Sequence, residues 1–508
     1  MANYSFDVAR TNIGTQSPYD TLYQSLRKFI NDYYYDRKNA IIKYWDYWRG
    51  DQSKYMQKYR GESDTEFANR QKMAAVENHC KTTCNINVAY MYGLSDKIGR
   101  RAENEQLNEI LNEDVYYYNE MATLMMDTRL MASVTGMAVM ETAIYNKATK
   151  KPFFGGEAIT KDNFYVHYRL SDSQITIPLP RLDDRRELGA IIKYYQLDDV
   201  DQYEFFGIEY KAADEVWVLE YVNDYVWLRW WHYKNDANNA TIVPVFNQEA
   251  VKNINIYGDV RVPFVLFKNI GDPMTLEGES DLEDAIPLQD NLNARMTDDA
   301  IVIAYHSLPL LKALRGAKIP DNFVRKPNSI LEIDGDGDVE YATWEDKLEA
   351  SHRYKSDIRS SIAEATQVSQ LSRGNMGGVG QLKTGIGVKS LYVPDIIGVR
   401  MRRPYMVKGE KDLIFATAKL YEKYGNYDFD ENYRCEIFMP EDFIGIDEYM
   451  ETQIKNLRIQ SGLPMEEELE EENPDATESE IKKMESELKQ KNQPKPSPLS
   501  EQKQLEKG

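Results

Sequence analysis

Residues 261–316 read RVPFVLFKNIGDPMTLEGESDLEDAIPLQDNLNARMTDDAIVIAYHSLPLLKALRG, an apolar run, a polar loop and a long amphipathic segment. The apolar run is opened by Pro263 and closed by Asn269, and its β-branched and aromatic members predict a buried strand. Apolar residues then return near helical spacing, which predicts one long helix over 281–307. The candidate packing residues of this helix are Leu288, Leu292, Met296, Ile301 and Ile303.

The start of this helix carries recognisable signals. Ser280 or Asp281 can accept hydrogen bonds from the first free backbone N–H groups. Glu283 places negative charge near the positive end of the helix dipole. Pro287 suits the first turn, where its missing N–H costs no hydrogen bond.

A second long helix is predicted downstream. Neither Pro nor Gly occurs over 345–373, which allows a helix of roughly 40 Å. We expect the two helices to pack side by side, with Ile301 and Ile303 buried between them. The sequences SILEI, DGDGD and VEYATW over 329–344 predict a β-hairpin between the helices. Its candidate residues are Ile330, Leu331, Ile333, Asp334, Gly335, Asp336, Gly337 and Asp338.

The segment 374–387 contains six glycines and predicts a mobile loop. The segment and the residues just after it also contain Gln381, Leu382, Lys383, Thr384 and Lys389. A third helical region follows from about Val388 to Tyr424, with interruptions expected at Pro394 and Pro404. Basic residues stand on both sides of the segment, at Arg373 and in the cluster Arg400, Arg402 and Arg403.

The order of these motifs resembles the portal proteins of tailed double-stranded-DNA bacteriophages, in particular the siphophage type. In that family a strand with the pattern PF.L..N precedes a helix with the pattern GESDLE. The resemblance extends from about residue 20 to about residue 460 through YWDYWRG (44–50), NINVAYMYG (85–93) and RELGAIIKYY (186–195). The residues that match the strand and helix patterns are Pro263, Phe264, Leu266, Asn269, Gly278, Glu279, Ser280, Asp281, Leu282, Glu283, Ile286, Leu288, Asp290 and Asn293.

The resemblance implies a mixed α+β portal fold that forms a ring. It has a helical and β-stranded wing, long stem helices, a small β clip, a Gly-rich tunnel loop and an acidic helical crown. The resemblance implies that the tunnel-loop candidates facing DNA are Gln381, Leu382, Lys383, Thr384 and Lys389. Arg373 can then touch passing phosphates, and the cluster Arg400, Arg402 and Arg403 can touch phosphates or pair with carboxylates of neighbouring subunits. The expected division is a flexible arm (1–18), wing (19–280), stem helix (281–307), clip (308–344), stem and wing helix (345–373), tunnel loop (374–387), channel-lining helix with wing return (388–445), crown (446–491) and disordered tail (492–508).

The net charge limits the ways in which the protein can bind nucleic acid. The formal net charge is −21, which argues against a protein that grips DNA by neutralising phosphates with clustered Lys and Arg. It is compatible with a channel through which DNA slides, because a ring of about twelve copies would carry a charge on the order of −250. We expect no membrane span and no signal peptide, and three cysteines fit a reducing compartment.

Other chemistries are weakly supported. Gly380 and Gly385 have the spacing of a phosphate-binding loop, but Ile386 and Gly387 stand where Lys and Ser or Thr are required. The acidic residues 334–345 approach a calcium-loop pattern without its central glycine. His79, Cys80 and Cys84 are too few for a structural zinc site, and no nucleophile elbow occurs. We therefore expect no enzyme activity, cofactor or metal.

The resemblance implies a homo-oligomer of about twelve copies at one capsid vertex, through which double-stranded DNA is packaged and ejected. The implied partners are the terminase, the major capsid and scaffolding proteins and the head-tail connector or adaptor. The implied location is the virion, after assembly in the host cytoplasm. The alternative is a minor structural or adaptor protein of the virion without a DNA channel.

Overall fold

The computed structural model describes residues 18–94, 97–152, 158–196, 215–224, 227–235, 239–244, 262–306, 310–314, 338–342, 348–374, 391–440 and 481–482. The helices are α1 (Pro18–Phe29), α2 (Tyr35–Arg49), α3 (Asp64–Lys72), α4 (His79–Tyr92), α5 (Glu105–Ile110), α6 (Tyr116–Tyr118), α7 (Met121–Thr135), α8 (Ala285–His306), α9 (Leu348–Ala365) and α10 (Val393–Gly425).

The strands are β1 (Gly99–Ala102), β2 (Met137–Asn146), β3 (Phe164–Ser171), β4 (Thr176–Pro180), β5 (Leu188–Gln196), β6 (Glu215–Asn223), β7 (Trp227–Asn235), β8 (Asn239–Pro244), β9 (Phe264–Lys268), β10 (Leu310–Leu314), β11 (Asp338–Ala342) and β12 (Cys435–Phe438). The first part of the chain is mostly helical and the part from Met137 to Phe267 is β-rich, which confirms both predictions. The observed mixture of helices and antiparallel sheets agrees with the predicted fold class at this level.

Two antiparallel sheets form the β-rich part. One has the order β3-β2-β9 and the other the order β4-β5-β6-β7-β8. Alternate residues of β5 face opposite ways, as the pleat requires. Ile191 packs against Phe264 of β9, whereas Ala190 and Ile192 pack against α1. The five-stranded sheet therefore lies between α1 and the three-stranded sheet.

The main core lies on the other side of β2, β3 and β9. Phe267 of β9 and Phe164 of β3 pack there with Leu413 and Tyr421 of α10. Gly409 of α10 allows a close contact, because a Cβ atom at that position would lie 2.4 Å from the Phe267 ring. The run 262–267, predicted as a strand, is thus buried on both faces, with β9 covering Phe264–Lys268.

Helices α8 and α9 are joined through β10 and β11, which pair in antiparallel fashion. In the predicted hairpin, Asp338 is the last residue of the turn. In the structure, Asp338 is the first residue of β11 and pairs with Leu314. This detail of the prediction is wrong, because the described partner of β11 is a strand far upstream in the sequence. The other hairpin candidates, from Ile330 to Gly337, lie outside the described residues.

Two predicted helix boundaries need correction. The helix predicted to reach Arg373 ends at Ala365, and Gln367 has a positive φ of 54°, which stops helical hydrogen bonding. The interruption predicted at Pro404 is absent, since α10 continues through it. Pro394 lies in the first turn of α10, where proline is tolerated.

Candidate functional site: the paired long helices and their polar anchor

Helices α8 and α9 pack side by side, as predicted, and they run in opposite directions. Leu292, Ile358 and Ile362 form a buried cluster between them. Further along, Asp299 of α8 accepts hydrogen bonds from the Lys355 ammonium group and from the Ser351 hydroxyl group of α9. Burial raises the pKa of Asp299, but its bonds to Lys355 and Ser351 more than offset this and lower the pKa. Asp299 therefore stays ionised and links the two helices.

The predicted packing residues of α8 do not all behave as expected. Leu292 is fully buried, and Leu288 and Met296 pack against the same cluster. Ile301 is half-buried, whereas Ile303 is 53% exposed. The prediction that Ile303 is buried between the helices is wrong for the single chain, because α9 presents only its first turn at this level.

Asp281, one turn before α8, is the centre of a buried polar network. Its carboxylate accepts two hydrogen bonds from the Arg402 guanidinium group, at 3.0 and 2.8 Å. It also accepts from Ser133 at 2.5 Å, from Asn269 at 2.8 Å and from Asn87 at 2.9 Å. The loop before α8 is thus joined to α4, α7, β9 and α10 at one point.

Arg129 of α7 completes the network. Its guanidinium group donates to Asn269 at 2.5 Å and lies 3.4 Å from Asp281. Burial alone would raise the pKa of Asp281, but Arg402 and Arg129 lower the pKa below its ordinary value. Burial lowers the pKa of Arg129. Because an arginine remains charged in proteins, the network holds two cations around one carboxylate.

This network corrects the predicted helix cap. Asp281 bonds with side chains of other elements, and the helix begins four residues later at Ala285. The Ser280 hydroxyl group accepts from the Leu282 N–H at 3.1 Å and donates to the Val134 carbonyl at 2.6 Å. Pro287 lies in the first turn of α8, as predicted.

The same loop approaches α7 closely at two glycines. Gly136 has a φ of +85°, and a Cβ atom on it would lie 2.3 Å from the carbonyl oxygen of Gly278. A Cβ atom on Gly278 would in turn lie 2.3 Å from the carbonyl oxygen of Gly136. Only glycine fits at both positions, and the contact brings Asp281 within reach of Ser133.

A polar clasp joins the two chain segments that flank residues 375–390. The Asp395 carboxylate accepts from the Ser369 N–H and the Ser372 hydroxyl group, both at 2.9 Å. The Arg373 guanidinium group donates to Thr83 at 2.7 Å and to Thr366 at 2.6 Å. These bonds fix the two ends of the segment on α4 and α10. The tunnel-loop candidates themselves lie outside the described residues.

The structure changes the interpretation of the arginine candidates. Arg402 is buried against Asp281, and Arg403 donates to the carbonyl oxygen of Pro440 at 2.9 Å. Arg373 bonds within its own chain. The predicted contact with a phosphate or with a neighbouring subunit's carboxylate is therefore wrong for Arg402, because its guanidinium group is buried against Asp281. For Arg373 and Arg403, which are half-buried, the contact stays a prediction. Arg400 is exposed.

Two cysteines of α4 lie in the core. Cys80 and Cys84 are both fully buried, and burial raises the pKa of Cys80 to about 12. Thiols with so high a pKa are poor nucleophiles and poor metal ligands. Within the described ranges, no group of three or more His, Cys, Asp or Glu residues could hold a metal ion.

A comparison with protein families gives the decisive observation. The family described as "Phage portal protein, SPP1 Gp6-like" matches residues 21–494, which is most of the chain. The chain belongs to this family. The family places it among structural components of the bacteriophage virion that serve genome packaging. No individual curated protein matches the chain significantly. Among the described residues, no helix is long and apolar enough to cross a membrane.

Sequence reasoning missed the roles of Arg129, Asn87 and Asp395. Each is a polar residue inside a mostly apolar helical pattern, and a fully buried arginine is rare unless it is paired. The sequence signal was the match of Asn269 and Asp281 to the family patterns. That match identified the residues but gave no indication of their partners.

Proposed function

We propose that about twelve copies of this portal-family chain assemble into a closed ring at one capsid vertex. Double-stranded DNA passes through the central channel during packaging and ejection. The observation that carries the proposal is the family match over residues 21–494. The antiparallel pair of α8 and α9, with β10 and β11 between them in sequence, supports the proposed stem and clip.

The acidic charge supports a passive conduit. A net charge of −21 per copy repels phosphate over much of the ring surface, so DNA can move without adhering to it. The terminase would supply the energy for DNA movement and dock on the ring during packaging. We further propose contacts with scaffolding and major capsid proteins during assembly, and with the head-tail connector afterwards.

Electron microscopy of the purified protein tests the ring directly. We expect end-on views with a central opening, and a native mass equal to about twelve copies. A protein that stays monomeric at all concentrations and salts, with no ring in procapsids, would overturn the proposal. A ring-free protein bound to assembled virions would instead support a minor structural or adaptor protein.

We also propose that residues 374–387 form the tunnel loop that faces DNA, with Lys383 nearest to phosphate. The polar clasp of Asp395 and Arg373 supports this, because it fixes the described residues on both sides of the segment. Lys383→Glu should preserve the ring and reduce DNA packaging or retention. The matched control is Lys72→Glu, the same charge change at an exposed position of α3.

Normal packaging and retention by Lys383→Glu rings would contradict the tunnel-loop assignment while leaving the ring proposal intact. An equal defect in Lys72→Glu rings would also contradict it, because the effect would then follow total charge and not the position of the lysine.

A further inference from the structure

The outer edge of β9 has backbone groups without partners in the described part of the chain. β9 ends the order β3-β2-β9. The Asn269 N–H donates to the Gly136 carbonyl at 2.9 Å, and the Thr142 N–H donates to the Pro263 carbonyl at 3.2 Å. With the register between β2 and β9, the odd-numbered residues of β9 therefore bond to β2.

The N–H and C=O groups of Phe264, Leu266 and Lys268 consequently point away from β2. No described residue forms a hydrogen bond with them. Phe264 is 4% exposed, and unpaired backbone groups in such surroundings are costly. An extended backbone placed alongside β9 would satisfy these groups in their alternating pattern.

A cleft of about 890 Å³ lies beside this edge. Its lining includes the charged turn between β4 and β5, residues 181–187, and one side of α10 at Tyr405, Phe415 and Ala416. The ion pair between Lys408 and Glu187, at 2.9 Å, links these two walls. On the α10 side, Lys408 and Asp412 lie beside these three residues. The cleft thus has one mixed wall, one charged wall and a strand edge that is unpaired within the described part of the chain.

The opposite edge of the same sheet is partly capped by a side chain. The Asn119 side chain donates to the Val166 carbonyl and accepts from the Tyr168 N–H of β3, at 2.8 and 2.7 Å. One asparagine thereby satisfies two of the outward backbone groups of β3. Within the described part of the chain no side chain caps β9 in this way, which favours its edge as a binding surface.

We propose that residues 4–8 of a second copy bind in this cleft as a fourth strand on β9. In the sequence YSFDV, Tyr4, Phe6 and Val8 alternate with Ser5 and Asp7. The period of two puts the three apolar side chains on one face of a strand, where they can pack against Tyr405, Phe415 and Ala416 of α10. Ser5 and Asp7 then face the charged turn.

The position of α1 favours a second copy over the same chain. A π-helical turn, Ile30–Tyr34, continues α1, and Tyr34 at its end donates to the Tyr194 carbonyl of β5 at 3.0 Å. The Tyr23 ring of α1 lies 5.6 Å from the Trp230 ring of β7. Tyr194 and Trp230 lie at the same level of the sheet, so α1 runs across the strands and Pro18 points toward β8. The cleft lies across the sheet from Pro18, next to β4 and β5.

The segment that is donated (residues 4–8) and the cleft that accepts it thus lie on opposite sides of the chain. Such an arrangement gives the head-to-tail contact that closes a ring. The inference therefore rests on the proposed ring and names one contact within it.

Photo-crosslinking tests the donor. Full-length chains with benzoylphenylalanine at position 6 are prepared with and without ¹⁵N label, mixed, and then assembled into rings. We expect crosslinked peptides that join position 6 to the cleft and contain one labelled and one unlabelled partner. If the two peptides of every crosslink were both labelled or both unlabelled, the segment would bind within its own chain and the proposal would be overturned. A lack of crosslinks to the cleft would overturn it too.

Hydrogen exchange tests the acceptor. We expect the amides of Phe264, Leu266 and Lys268 to exchange at least about tenfold faster in the triple variant Tyr4→Asp, Phe6→Asp, Val8→Asp than in the unaltered ring. The control Ala2→Asp, Thr11→Asp, Gly14→Asp carries the same added charge and should leave these amides protected. The Val265 and Phe267 amides, bonded to β2, should not change in either variant.

Equal exchange of the outer amides in all three proteins would overturn the strand proposal. Particle mass is measured on the same samples. If the strand proposal fails while the rings are intact, the proposed portal ring is not contradicted. If the triple variant forms no rings, the crosslinking result decides.

Discussion

At the scale of single residues, Asp281 holds the start of α8 against α7, β9 and α10. We expect Asp281→Asn to lower the free energy of unfolding by about 3–5 kcal/mol, since two buried cations lose their counter-charge. Chemical denaturation followed by circular dichroism measures this. The control Glu349→Gln removes an exposed ion pair with Arg353 and should cost less than about 1 kcal/mol.

The same carboxylate predicts a dependence on pH. Its pKa in the folded protein is lowered, so its contribution is present above the pKa of the unfolded chain, about 4, and is lost as pH falls through the folded pKa. The difference in unfolding free energy between the unaltered protein and Asp281→Asn should narrow below about pH 4. A difference that stays constant down to pH 2 would contradict the assigned ion pair.

The two facing glycines give a second prediction at this scale. Gly136→Ala adds both left-handed strain and a Cβ clash with Gly278. Gly61 has a similar φ of +87° but nothing within 4 Å of a built Cβ atom. We expect Gly61→Ala to cost about 1 kcal/mol and Gly136→Ala about 1–3 kcal/mol more, measured by denaturation. Equal costs would show that the loop moves away freely.

At the scale of elements, α8 and α9 should depend on the cluster at Leu292. Leu292→Ala should destabilise the protein by about 2–5 kcal/mol, because a fully buried side chain leaves a cavity between the helices. Val302→Ala, on the same helix at a 38% exposed position, should cost less than about 1 kcal/mol. Thermal and chemical denaturation of both variants make the comparison. Similar costs would contradict a helix pair held by this cluster.

At the scale of the whole molecule, assembly must overcome the repulsion between copies that each carry a charge of −21. Salt reduces the screening length from about 10 Å at 0.1 M to about 3 Å at 1 M. We therefore expect the fraction of rings, counted by mass photometry, to rise with NaCl concentration. Sucrose at equal osmolality is the control and should have no such effect. A ring fraction that falls with salt would show that ion pairs between subunits dominate assembly.

Local sequence patterns determined several features correctly. The strand before α8, the long helix with Pro287 in its first turn, the helical first part and the β-rich second part all follow from periodicity and from the distribution of Pro and Gly. These signals work because each depends on residues within a few positions of one another. The ordered family patterns, from YWDYWRG to GESDLE, also gave the family itself.

Only the tertiary structure decided which residues hold these elements together. Asp281 looked like a helix cap in the sequence, but its strongest partners, Arg402 and Arg129, lie more than a hundred positions away. Pro404 is a strong local break signal costing about 3 kcal/mol, yet α10 continues through it because packing on both sides retains the helix. Contacts between distant residues leave no periodic signal in the chain, so their energies become visible only when the fold brings them together.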